Sequence, residues 1–306
     1  MLRITLSGIA ASLLAITINA DLAQAQPARV FVAAQGSDAN PCTFALPCRT
    51  FQHAHDTVVA NGEIDVLDPA GYGTLVITKA VSIQGHGFAG ISMASGSTAI
   101  TINAGATDRI SLRGLLLDGI RIPFTRGIRF FSGGSLDVQD CVIRNFVAQG
   151  LIFSPSATSA LFVSNSHVAD NGSGIGVELA TGSASGALDH VVAESNEGPG
   201  LLFGGNLALI KFTVSDSVIS NNNIGVYLSG IGNPIAVMMR NTVASNNGSG
   251  LIASGSNAVV RVTRSTITGN AVGFAAQSSG QIVSYSDNNL DGNTTDGAPT
   301  STITLK

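Results

Sequence analysis

An all-β solenoid is the fold class this 306-residue sequence predicts, and three observations predict it. Between Val142 and Asn293 one phrase recurs: a small aliphatic residue, an Asn two positions later, then a Gly followed by an apolar residue. The Asn series is Asn145, Asn171, Asn196, Asn222, Asn246, Asn270 and Asn293; the Gly series is Gly127, Gly150, Gly174, Gly200, Gly225, Gly250 and Gly273. Both series advance by 23 to 26 residues. A period of that length, made of short β-type segments and turn residues, marks units that bury their apolar face only against their neighbours. Composition agrees: Gly numbers 36, charged residues make up 11% and Trp is absent.

From the N-terminus, Arg3, the apolar run Ile4 to Ala20 and Ala23-Gln24-Ala25 predict a secretory signal over residues 1–25. Export to the periplasm or beyond the cell follows. No other segment reads as a membrane span: the uncharged stretch from Asn145 to Ala169 is broken by Gln149-Gly150 and Ser154-Pro155-Ser156. Residues 26–62 form an N-terminal unit. Residues 29–36 read as a strand, and 49–60 as a short helix with Phe51, Ala54, His55, Val58 and Val59 at helical spacing. That helix would cap the open end of the solenoid. Between them Cys42 and Cys48 flank a Pro-rich loop, and in an oxidising compartment they predict a disulfide. Cys141, in Cys141-Val142-Ile143, reads as an inert core residue.

The solenoid is expected over 63–306, with clear repeats over 127–293. Its entry coils run from Asp68-Pro69-Ala70-Gly71-Tyr72-Gly73 through Leu75-Val76-Ile77-Thr78-Lys79 to Val81-Ser82-Ile83-Gln84-Gly85. This segment resembles the entry coils of pectate-lyase-like right-handed parallel β-helix proteins. The resemblance extends from about residue 29 to the end and implies a right-handed parallel β-helix, a secreted bacterial protein and a polysaccharide as partner. It carries no catalytic residue with it.

Superposing the repeats assigns directions. After each Gly, pairs such as Leu201 and Phe203 or Val226 and Leu228 point inward; a second strand supplies Leu136 and Val138, Phe212 and Val214, Ala236 and Met238, Val283 and Tyr285. Roughly ten coils at about 4.8 Å each would make a rod about 48 Å long. Each Asn carries a donor and an acceptor, so the Asn series is expected to bond along the axis as a ladder.

Function is left to outward positions. On the wall after Gly these are Arg129, Ile152, Gly176, Leu202, Tyr227, Ile252 and Ala275, a largely apolar stripe. Ile152, Leu202, Tyr227 and Ile252 suit self-association or a covering segment. The other wall presents polar groups on which a sugar chain could lie, with Asp189, Thr213, Ser215 and Arg261 as expected substrate contacts. Beside it runs a column through Asp140, Asn165, His190, Asp216, Arg240, Arg264 and Asp287. Stacking would set Asp216 between His190 and Arg240. A lyase on uronic-acid polymers needs cations, or calcium held by carboxylates, to neutralise the sugar carboxylate, plus a base. His190, Asp216, Arg240 and Arg264 are therefore the expected catalytic group, calcium the one cofactor such chemistry would use. Alternating charge on adjacent coils has a bland explanation too, since it avoids repulsion.

Other motifs fail. Gly85-His86-Gly87 matches a fragment of the polygalacturonase signature, whose remaining Asp and Arg-x-Lys elements are missing. His53 and His55 diverge on a helix, so no metal site is expected there. Acids outnumber bases, 19 to 15, which argues against nucleic acid as partner. Two readings remain: a secreted protein that binds or acts on a polysaccharide, as a lyase or glycoside hydrolase if an enzyme, and a non-catalytic adhesive or structural scaffold.

Overall fold

Most coils use three short strands with left-handed corners after the second and the third; in the two coils before Arg126 the second and third strands run together as Val81–Ser92 and Arg109–Asp118. In the computed structural model, which describes residues 26–93, 97–205 and 207–304, one coil is built from Pro199–Gly205, Leu209–Ser215 and Val218–Ser220. The export signal expected over 1–25 lies outside the described residues. Sharp bends occur at Asp216 (φ 50°) and Asn221 (φ 56°), where a single residue in the left-handed region redirects the chain. Asp and Asn tolerate that region better than other side chains with a Cβ, which explains the residue types at these corners.

Strands of successive coils pair in parallel and in register: Leu201 with Val226, Leu202 with Tyr227, Phe203 with Leu228. The first strands of the coils form a nine-stranded sheet among the described residues; the second and third strands run together into a twenty-stranded one. Eight spacings of about 4.8 Å give a rod of roughly 38 Å, shorter than the expected 48 Å. The terminal segments Arg29–Val32 and Ser301–Thr302 pair only in the longer sheet and so complete no extra coil.

The core is a set of apolar columns. Ile128, Leu151, Ile175, Leu201, Val226 and Leu251 stack in one, each at most 1% exposed, and Phe130 stacks on Phe153 with ring centroids 4.5 Å apart. On the second wall the inward column is Leu136, Leu161, Gly186, Phe212, Val237, Val260 and Ile282. This corrects the expectation at two coils, where Val237 and Met239 point inward rather than Ala236 and Met238, and Ile282 and Ser284 rather than Val283 and Tyr285. In the first of these coils the cause is the reference Asn: ten residues back from Asn246 is Ala236, whereas the residue that aligns with Asn222 is Asn247, ten residues after Val237. In the second, the corner between second and third strands holds one more residue, since Val262 and Thr266 pair with Ser284 and Asn289, so a count back from Asn293 slips by one.

The ladder exists, with corrected membership. Asn171, Asn196, Asn222, Asn247, Asn270 and Asn293 are its rungs; each donates from Nδ2 to the Oδ1 of the next at 2.8–3.1 Å. The same Oδ1 accepts the rung's backbone N–H from the preceding coil, as Asn222 Oδ1 does from Asn196 at 3.0 Å. Asp296 ends the series by accepting from Asn293 at 2.9 Å. Asn145 and Asn246 are not rungs: they sit one residue earlier, at left-handed corners with φ 61° and 55°. Phe146 fills the rung position in the first of these coils, and its N–H donates to Asn171 Oδ1 at 3.0 Å. A second ladder, unforeseen, runs at the other corner. There Ser217 Oγ accepts the Val191 N–H at 3.0 Å and donates to Ser215 O, and Ser166 and Ser265 repeat the pattern.

The capping helix spans Phe51–Thr57, with Thr50 Oγ1 accepting the His53 N–H at its start. It covers the exposed edge of strand Leu75–Ile77. Gln52 Oε1 accepts the Val76 N–H at 2.8 Å and buried His55 Nε2 accepts the Thr78 N–H at 3.2 Å.

Replacing an inner rung, Asn222→Ala, orphans buried donors and acceptors and should cost about 2–4 kcal/mol in denaturant unfolding. Asn246→Gly, at an exposed left-handed corner, should change stability by less than about 1 kcal/mol. Equal effects would contradict the ladder assignment. For the cap, burial pushes the His55 pKa below its ordinary value, so below about pH 6.5 the unfolded chain binds the proton first. Stability from this contact is complete above that pH and is lost as pH falls through the depressed value. Hydrogen-exchange protection across Phe51–Thr57 and at the Thr78 amide, measured relative to the intrinsic rate at each pH, should therefore fall on acidification.

Candidate functional site

The expected catalytic column is, first, a column of corners. Asp140, Asn165, His190, Asp216 and Arg264 all have φ between 48° and 54°, which is the shared property that stacks them. The residue in this series after Asp216 is Asn241 (φ 47°), not Arg240. Arg240 belongs instead to the adjoining strand column, in register with Ser215 on one side and Thr263 on the other. Asn241 Nδ2 donates to Asp216 Oδ1, so the expected His190–Asp216–Arg240 sandwich does not form. His190 Nδ1 contacts Asp189 Oδ2 at 2.8 Å, and Ser215 Oγ donates to the other oxygen of Asp189. Those contacts, Ser215 first, hold the Asp189 carboxyl below its ordinary value, and Asp189 in turn raises His190. Asp287 accepts from Thr263 Oγ1 and from the Arg264 N–H. Arg240, Arg261, Arg264, Thr213 and His190 are exposed. Thr213 and Arg261 line a shallow depression of about 240 Å³ with Lys211 and Met238; Asp189 and Ser215 lie outside it.

The outer face of the nine-stranded sheet is different in kind. Register sets Arg129, Ile152, Gly176, Leu202, Tyr227 and Ile252 side by side, as expected from the repeats. The stripe is sunken rather than proud: Ile252 is 8% exposed, and Leu202 and Tyr227 are half-buried. In it lie two polar atoms that are buried without a hydrogen-bond partner among the described residues, Arg129 Nε and Glu178 Oε1. The Arg129 guanidinium stacks over Phe131, 4.1 Å from the ring centroid. Glu178 stands two residues beyond Gly176 on the same strand and folds back over it. A Cβ at Gly176 would lie 2.7 Å from Glu178 Oε1, so the glycine makes room for the carboxyl. Arg126 flanks the group from the strand entrance, with Nε donating to Gln149 Oε1 at 2.9 Å.

Burial dominates the electrostatics here. It raises the Glu178 carboxyl above its ordinary value, with Arg126 opposing, and it lowers Arg129, whose second disturbance is Arg126. An open depression of about 440 Å³ continues along the face, lined by Glu178, Leu202, Gly204, Tyr227 and Ser229. From Arg129 to Tyr227 is four strand spacings, about 19 Å. This is a shallow trough with two cations and a carboxyl at one end and an aromatic ring at the other. Arg126, Gln149 and Glu178 were missed in the sequence because only the strand register places them; the available signal was charge at outward positions of an otherwise apolar wall.

Metal ligation has little support in the geometry. Cys42, Cys48 and His53 come within 4.8 Å of one another, but the two cysteines form the expected disulfide, leaving His53 alone. The trough offers one carboxyl beside two arginines, a donor set that does not fit calcium, which takes six to eight oxygens. Cys141 is buried, and its thiol is pushed up to about 11 by desolvation, which leaves it inert.

The folded chain superimposes on a pectate lyase, Pel9A, with a TM-score of 0.58 at 15% identity, covering 89% of this chain and 79% of that one. The chain shares the fold of a pectate lyase. Two A-modules of mannuronan C-5 epimerases from Azotobacter vinelandii, AlgE4 and AlgE6, align over 80% and 82% of this chain, at 15% and 16% identity and TM-scores of 0.42 and 0.36, with 91% and 92% of those modules covered. No family model and no curated protein sequence matches. At this identity the pectate-lyase likeness defines the β-helix and leaves the chemistry to the side chains. The disulfide fits an oxidising compartment, and no helix among the described residues is long and apolar enough to cross a membrane.

A carboxyl NMR titration should place the Glu178 midpoint above the ordinary value of about 4.3. Arg126→Gln removes the opposing cation and should move it higher still. A midpoint at or below the ordinary value would show that Glu178 is solvated and not part of a buried group.

Proposed function

We propose that this is a secreted protein that binds an acidic polysaccharide along the outer face of its nine-stranded sheet. The observation that carries the reading is the pair of buried, unpartnered atoms, Arg129 Nε and Glu178 Oε1. An unpaired buried donor and acceptor cost about 1–3 kcal/mol each, and a ligand that supplies an acceptor to one and a hydroxyl to the other recovers that cost. A uronic-acid polymer carries both groups on every residue. Arg126 and Arg129 pair with its carboxylate, Glu178 accepts from its hydroxyls, and Tyr227 underlies a ring further along the trough. The names of the structural neighbours, a pectate lyase and two mannuronan epimerases, point to the same class of polymer. Glu178 is also the group through which a proton could be exchanged with a bound sugar, since its raised pKa brings its titration closer to neutral pH.

Affinity electrophoresis in polygalacturonate, alginate and glycosaminoglycans, with absorbance of unsaturated products followed in parallel and with or without calcium or chelator, tests the reading. At least one polymer should retard the chain, the Arg126→Gln/Arg129→Gln double variant should bind about tenfold more weakly, and chelator should have no effect. If cleavage occurs, Glu178→Gln should abolish it while sparing retardation. Asp216→Ala and Arg240→Ala should leave both unchanged; loss of binding in these corner variants alone would move the site to the other wall. No retardation and no cleavage on any polymer would leave the scaffold reading in its place.

A further inference from the structure

The turn leading into the strand that carries Arg126 and Arg129 departs from the repeat. Elsewhere the third strand of a coil is separated from the next first strand by residues such as 221–223 or 246–248; here the turn runs from 119 to 125. The additional residues include Ile120, Arg121 and Phe124, all in the left-handed region, at φ 42°, 58° and 63°. A β-branched residue there is a costly choice, sustained only if surrounding contacts enforce it. Those contacts are present. The Arg121 N–H donates to Asn145 O and the Ile122 N–H to Gly119 O, Thr125 Oγ1 donates to Ile122 O, and Arg121 Nη1 pairs with Glu197 Oε1 at 2.9 Å. Glu197 belongs to a turn three coils further on, so the ion pair ties the longer turn along the flank of the solenoid.

What this held turn displays is apolar. Phe124 is 83% exposed, more than any other large apolar side chain described, and Ile120 is 56% exposed. Phe124 is two residues before Arg126, so their Cα atoms are within about 7 Å. A free phenyl ring thus stands at the entrance edge of the trough, next to Arg126, the nearer of its two cations. We propose that Phe124 is a stacking platform for a sugar ring of the polymer that Arg126 and Arg129 hold, fixing the orientation of the residue whose carboxylate they neutralise. This rests on the polysaccharide reading above and adds a requirement on the ligand: at that end of the site it must present the apolar C–H face of a pyranose ring. The phenyl supplies dispersion contact with that face, and the cations at the ring's edge supply direction.

The test uses the full chain in polygalacturonate and alginate gels, with thermal unfolding as a check on folding. Phe124→Ala should weaken binding about tenfold, while Phe124→Trp should stay within about threefold of the wild type. Phe44→Ala, which removes a ring 71% exposed in the disulfide loop, should have no effect. Arg121→Gln, which frees the turn without touching the ring, should give an intermediate loss. If the wild type binds and the Arg126→Gln/Arg129→Gln variant does not, yet Phe124→Ala binds within twofold, the platform is wrong and the trough stands. Conversion of a dimer to a monomer by Phe124→Ala, with binding unchanged, overturns it in favour of a contact between copies. Absence of binding by the wild type overturns both.

Discussion

Every coil of this molecule depends on parallel register. A peptide group facing the axis of the solenoid can be satisfied only by the coil above and the coil below, and a slip of one residue would turn each strand's core face outward. Hydrophobic columns alone do not prevent slips of two residues, which keep the same face inward, because Leu, Ile, Val and Phe substitute for one another along a stack. The amide ladder does prevent them. Asn196 Oδ1 must accept both the backbone N–H and the side-chain amide of Asn171, which is satisfied at one alignment of the two coils only. The hydroxyl ladder at the other corner adds a second fixed point per coil, and between two fixed points the turn of variable length is free to vary.

That division explains what could be read from the sequence. The period, the fold and the outward stripe of the first strand follow from residues anchored to the Gly and the corner, and all three match the structure. Asn145 and Asn246 were misassigned because a corner residue in the left-handed region and a ladder rung are adjacent, and Asn suits both. Conformation distinguishes them; composition does not. The second wall slips at Val237 when it is counted back from Asn246 instead of Asn247, and at Ile282 because the corner between Ser284 and Asn289 holds one more residue than its neighbour. The polar column stands out in the repeat because its members, Asp140, Asn165, His190 and Asp216 among them, occupy one left-handed corner, where Asp, Asn and His are favoured.

Burial separates the two walls electrostatically. Around His190 the charges pair with each other in water, where exposed ion pairs are worth little and neighbouring groups are already satisfied. In the trough, Glu178 and Arg129 are partly removed from water and left without partners, so a ligand that reaches them meets groups whose hydrogen bonds are not yet made. Register brings them together from separate coils, and Gly176 contributes by having no side chain to displace the carboxyl. Such a site is invisible in a repeat alignment, where each member appears as an irregularity of its own coil.

The last rung of the amide ladder is a carboxylate. Asn both gives and receives along the axis, whereas Asp296 only receives, from the Asn293 N–H and side-chain amide, so the ladder has a direction and a defined stop. At its other end Phe146 supplies only a backbone N–H. Interior coils are therefore interchangeable in a way the end coils are not. Adding or removing a whole unit between Asn171 and Asn293 would leave the donor-to-acceptor order of the amides intact, so the ladder fixes where the rod stops but not how many coils lie between its ends.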